Sequence, residues 1–108
     1  MASNTPKRGL PGRFLEFQQN HPNLARAVDQ LGVAGSAAGP LDKKAIELIR
    51  LGIAVGAREE GGLHSHTRRA LEAGATAEEI RHAVLLSITS IGFPNTMAAM
   101  SWVEDVLD

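Results

Sequence analysis

The stretch from Leu41 to Ala57, "LDKKAIELIRLGIAVGA", constrains the fold of this chain more than any other. Lys43, Glu47, Arg50 and Arg58 follow one another at helical spacing and form a single polar stripe. Ala45, Ile46, Leu48, Ile49, Leu51, Ile53, Ala54 and Val55 occupy nearly everything else. Asp42 stands where a helix cap belongs, with Leu41 just outside it as a lid on the first turn. A helix this apolar is expected to be buried on most sides. That is more cover than a chain of 108 residues readily supplies from itself. A second segment, "AEEIRHAVLLSITSI", makes the same demand, being polar in its first turns and apolar from Ala83 to Ile91.

The remaining boundaries follow from caps and breakers. Thr76 and Glu79 have the spacing of a reciprocal capping box. Gly74 suits the left-handed residue that closes a helix expected over about Leu63 to Ala73, and Gly61 and Gly62 read as a flexible turn ahead of it. Pro11 to about Gln19 reads as a short helix, and a second restarts after His21 with Pro22 in its first turn. "GSAAGP", Gly35 to Pro40, is a loop, and Pro94 opens a last helix to about Leu107. Sustained two-residue alternation and Asn-Gly hairpin signals are both absent from the sequence. The expectation is an all-α protein of about six helices, with residues 1–9 a flexible tail and 10–108 a single helical domain.

Composition narrows the function. The net charge is −1 and the aromatic content 4 %, so no one-signed basic surface exists to attract nucleic acid or anionic lipid. Neither nucleic acid nor membrane is an expected partner. Apolar runs fall short of a membrane span, and "MASNTPKRG" lacks the apolar middle of a secretory signal; a cytoplasmic protein is expected. There is no cysteine, which removes disulfides, thiolate ligands and thiol nucleophiles together.

"LDKKAIELIRLGIAVGA", "HTRRALEAGATAEEIRHAV" and "GFPN" together resemble the carboxymuconolactone decarboxylase family, which includes the alkyl hydroperoxide reductase D-type proteins. The resemblance covers roughly Leu41 to Met100. It implies a small all-α fold assembled as a homotrimer or homohexamer, which would cover the two over-apolar helices. The redox branch of that family carries Cys-x-x-Cys followed four residues later by His, with a proton-relaying Glu on the preceding helix. Aligned on "HTRRA", the His falls on His66, the two cysteines on Glu59 and Gly62, and the relay Glu on Glu47. With both thiols missing, cysteine-dependent peroxidase or disulfide reductase activity is not expected. The decarboxylase branch also lacks the pair, keeps a His at the position of His66, and acts on a lactone bearing a carboxylate.

Glu47 and His66 are therefore the catalytic candidates, an acid/base pair for a small organic acid or lactone. In the competing reading Glu47 only pairs with Lys43 or Arg50 along its own helix, and the protein is a non-catalytic ligand-binding oligomer. Arg50, Arg68 and Glu59 are the substrate-binding candidates, the two arginines as partners for a carboxylate. No cofactor or metal is assigned. His64 and His66 point some 200° apart on a helix and do not converge on one ion, although Glu59 or Glu60 would be the extra ligand if the segment were not helical. His21 and His82 read as ordinary helix residues. Met97, Met100 and Trp102 read as core or subunit contact, with Trp102 partly buried.

Overall fold

A computed structural model describes residues 12–107; the tail expected over residues 1–9 lies outside them. Every regular element among the described residues is helical: α1 (Gly12–Asn20), α2 (Pro22–Ser36), α3 (Lys43–Ala57), α4 (Glu60–Glu72), α5 (Ala77–Leu85), α6 (Ile88–Ile91) and α7 (Phe93–Leu107). Six of them have nine residues or more, and α6 is a four-residue turn. The chain divides into two compact units, one ending at Leu41 and one beginning at Asp42.

In the first unit α1 and α2 follow one another with only His21 between them. Pro22 takes the first turn of α2, where its missing N–H costs no hydrogen bond. The break is held by His21 N–H donating to Phe17 O at 2.8 Å, with the two rings 5.7 Å apart. No residue of either helix is buried, and Leu24, Val28, Leu31 and Val33 of α2 are exposed.

The second unit holds the core. The Asp42 carboxylate caps α3 by accepting from Ala45 N–H at 2.8 Å. The helix ends at Arg58, which adopts a left-handed φ of 57°, and the chain turns straight into α4. That helix starts at Glu60, so Gly61 and Gly62 belong to its first turn instead of forming the flexible turn expected from the glycine pair. Gly62 faces α3: a Cβ there would make an ordinary 3.8 Å contact with the Ala54 Cβ and would meet the movable Glu59 carboxylate at 3.0 Å. The antiparallel α3–α4 pair then packs on α5 and α7 around Leu51, Val55, Leu63, Ala70, Ile80, Val84, Ala99 and Val103. Buried Thr67 satisfies its hydroxyl on Leu63 O at 2.7 Å.

Two expectations are corrected. The run from Ala77 to Ile91 is not one helix: it breaks at Leu86 and Ser87, where Ser87 Oγ donates to Val84 O (2.7 Å) and shares a hydrogen bond with Oγ1 of buried Thr96 (2.9 Å). A serine that bonds its own backbone competes with the helical ladder, and here α7 supplies the hydroxyl that favours the break. Nor does the single chain bury α3 on most sides. Its covered face is Leu51, Ala54 and Val55, whereas Ile49 and Ile53 are exposed, as are Leu85, Leu86 and Ile88. The capping box of α5 is present as expected, with Glu79 N–H on Thr76 Oγ1 at 3.0 Å and Thr76 N–H on Glu79 Oε1 at 2.9 Å. Trp102 is partly buried against the core.

Candidate functional site

The antiparallel pairing of α3 and α4 sets which side chains meet. With Ala54 opposite Gly62 near the turn, residues farther from the turn also face one another: Glu47, about two turns before Ala54 on α3, meets His66, about one turn after Gly62 on α4. The structure places Glu47 Oε1 3.1 Å from His66 Nδ1. The other carboxylate oxygen, Oε2, lies 3.5 Å from Arg50 Nη1 one turn along α3. The two readings of Glu47 are therefore not exclusive: one oxygen meets the imidazole across the helix pair and the other meets the guanidinium on its own helix.

All three side chains are largely covered, at 14 % exposure for Glu47, 22 % for His66 and 26 % for Arg50. An ionised Glu47 requires His66 to donate from Nδ1, since a carboxylate only accepts. That fixes the tautomer and leaves Nε2 with its lone pair, ready to take a proton. The imidazolium formed would stay beside the carboxylate, where its charge is compensated. Such an arrangement is able to accept a proton from one group and return it to another.

The other candidates are distributed differently. Arg68 stands two residues beyond His66, about 200° further round α4, and so shares the side of His64. Burial, and secondarily the neighbouring Arg69, hold its guanidinium below the ordinary arginine value, with Glu72 opposing. Glu59 is exposed and precedes α4 as its cap residue without a side-chain capping bond; it shares the face of His66 but lies about 10 Å, two turns, along the axis.

His64 and His66 diverge as helical geometry requires. His64 is only 8 % exposed, and its Nε2 is 3.0 Å from Asp105 Oδ2 on α7. Asp105 escaped the sequence reading, because a lone acid near the end of a terminal helix carries no local signal of what it faces. An open-sided cavity of about 570 Å³ between α3 and α5, lined by Leu48, Ile49, Gly52, His82, Leu86 and Ser90 among others, includes neither Glu47 nor His66. The Glu47–His66 pair and this apolar hollow are thus separate features. Among the described residues no helix is long and apolar enough to cross a membrane.

A model described as the carboxymuconolactone decarboxylase family matches residues 22–105, from the start of α2 nearly to the end of α7. No curated protein and no solved structure matches the chain.

Proposed function

The chain belongs to the carboxymuconolactone decarboxylase family, and from that premise we propose that it is a lyase-type enzyme using Glu47 and His66 as an acid/base pair on a small organic acid or lactone. The observation that carries the reading is the 3.1 Å contact between Glu47 Oε1 and His66 Nδ1 on two largely covered side chains. Loss of CO₂ from a carboxylate leaves an electron pair on carbon, held as an enolate by an adjacent carbonyl. The His66 imidazolium then delivers the proton that replaces CO₂, and solvent restores it. Arg50, already beside Glu47, is the better placed cation for a substrate carboxylate, while Arg68 and Glu59 would act at greater reach. No cofactor is part of the scheme.

The proposal includes self-assembly as a trimer or a dimer of trimers, supported by the exposed Ile49, Ile53, Leu85, Leu86 and Ile88, which a neighbouring subunit would cover. Light scattering should return a multiple of the 11.5 kDa chain mass; a stable monomer at micromolar concentration removes this part. A cytoplasmic location belongs to the same reading.

Turnover of a panel of small carboxylated lactones, followed by CO₂ release, tests the chemistry. Glu47→Gln and His66→Gln should each lower the rate by about 10²–10⁴-fold while leaving the helical fold intact. The second reading, a non-catalytic ligand-binding oligomer, is favoured by the departure of the segment before His66 from the family's redox pattern, with Glu59 and Gly62 standing where thiols would be. It wins if those acids shift the His66 resonances on titration yet none is turned over. Catalytic, thiol-dependent consumption of hydroperoxide by pure protein would overturn both.

A further inference from the structure

On the opposite side of α4 from His66, three potential ligands converge: Glu60 and His64 from α4, one helical turn apart, and Asp105 from α7. One donor atom from each lies within 4.8 Å of the other two. We propose that this cluster binds a first-row divalent transition metal, with Zn²⁺ as the representative ion and solvent completing its shell.

His64 Nε2 faces two carboxylates. Asp105 Oδ2 is at hydrogen-bond distance, 3.0 Å, and Glu60 Oε2 is at 3.9 Å, too long for a hydrogen bond. An imidazole nitrogen offers one proton or one lone pair, so Asp105 uses all that Nε2 has and Glu60 points at an atom with nothing left for it. A cation among the three would satisfy every group at once. The separations suit this: ligands bound at about 2.1 Å stand roughly 3.0 Å apart when adjacent and about 4.2 Å when opposed, and the two separations from Nε2 fall in that range. Carboxylates with one imidazole favour a borderline ion such as Zn²⁺, Co²⁺ or Fe²⁺ over Ca²⁺ or Mg²⁺, which prefer oxygen alone. His64 is nine-tenths buried and already oriented, whereas Glu60, half exposed, leaves a way in from solvent. The site is distinct from the Glu47–His66 pair, and its effect would be to pin α4 to α7.

The competing account is that Asp105 only satisfies a buried histidine while Glu60 merely favours the positive end of α4. Untagged, chelator-stripped full-length protein titrated with ZnCl₂ separates the two. We expect one Zn²⁺ per chain with micromolar affinity, a raised melting temperature, visible d–d absorption with Co²⁺, and transfer of the His64 proton from Nε2 to Nδ1 in ¹⁵N NMR, since the metal needs the Nε2 lone pair. Glu60→Gln should weaken Zn²⁺ by about tenfold or more without changing the melt in chelator, and His21→Gln with His82→Gln should leave binding unchanged. Affinity weaker than millimolar, or binding that survives Glu60→Gln and is lost with His21 and His82, overturns the proposal.

Discussion

Two histidines on α4, two residues apart, solve the same problem on opposite faces of one helix. Each meets a carboxylate from another helix at nearly the same distance, 3.1 Å from Glu47 for His66 and 3.0 Å from Asp105 for His64. They differ in surroundings. The His66 partner also touches Arg50, so one carboxylate links an imidazole and a guanidinium. His64 is the more covered of the two, and a second carboxylate stands by the same nitrogen. An added proton on the first face is shared across an acid, a base and a cation; on the second, two carboxylates stand by one imidazole nitrogen. The first arrangement therefore suits proton transfer and the second suits a cation, although in isolation both are a His–carboxylate pair.

Helix α4 is the partition between the two faces, and the largest expected effect comes from loosening it. Leu63 is fully buried between its neighbours, so Leu63→Ala should cost about 2–5 kcal/mol and loosen both pairs together, as read by urea denaturation and by broadening of both imidazole resonances. If only one histidine responded, the faces would not share a common support.

Next in size is the difference between the partners. In chelator, Asp105→Ala should destabilise by about 1–3 kcal/mol, because His64 is left buried without its acceptor. Glu47→Ala should cost less, about 1 kcal/mol, since His66 and Arg50 are both nearer to water. Equal losses in urea melts would mean that the two faces are energetically alike and that only chemistry tells them apart.

How much of this the sequence disclosed depends on range. Caps are local, so Asp42 on α3 and Thr76–Glu79 on α5 were legible from residue type and spacing alone. The Glu47–His66 contact is not local, and only the resemblance placed the two residues together; nothing in their spacing of nineteen residues announces a contact. Asp105 opposite His64 had neither a local pattern nor a family motif behind it. The glycine pair misled because its composition says turn, whereas the turn is made at Arg58 and Glu59 and both glycines lie in the first turn of α4. Ser87 misled in the opposite sense, since a break that depends on Thr96 of α7 is invisible in an apolar run.

A smaller effect is expected at the α3–α4 turn, which sets the register of the first face and leaves the second alone. Arg58 holds a left-handed φ of 57°, a conformation that costs a residue with a Cβ roughly 1 kcal/mol or more. Arg58→Gly should stabilise by about 0.5–1 kcal/mol after the greater chain entropy of glycine is subtracted. The midpoint of urea unfolding should rise while the His66 resonances stay in place. A shift at His66 would show that the strained turn helps hold its face.

The smallest effect belongs to a carboxylate that ties helices together without an imidazole. Glu79 links α5 to α3 through Lys44 at 3.1 Å. The Thr76 backbone N–H first, and the Lys44 ammonium next, hold its carboxyl below the ordinary value of 4.5. A folded-state pKa below the unfolded one stabilises the ionised protein, so the contribution is complete above the ordinary carboxylate range and is lost as pH falls through the folded value. Glutamine keeps an oxygen for the Thr76 N–H but carries no charge and does not titrate. The wild type should therefore be slightly more stable than Glu79→Gln at pH 7, with the gap closing on acidification and shrinking in about 1 M salt, because the group is solvent-exposed. Urea midpoints of both proteins from pH 7 down to pH 3 measure this. A gap independent of pH would mean that the side chain acts through its shape and hydrogen bond alone, as a cap, and that of these carboxylates only the more covered ones facing the histidines act through their charge.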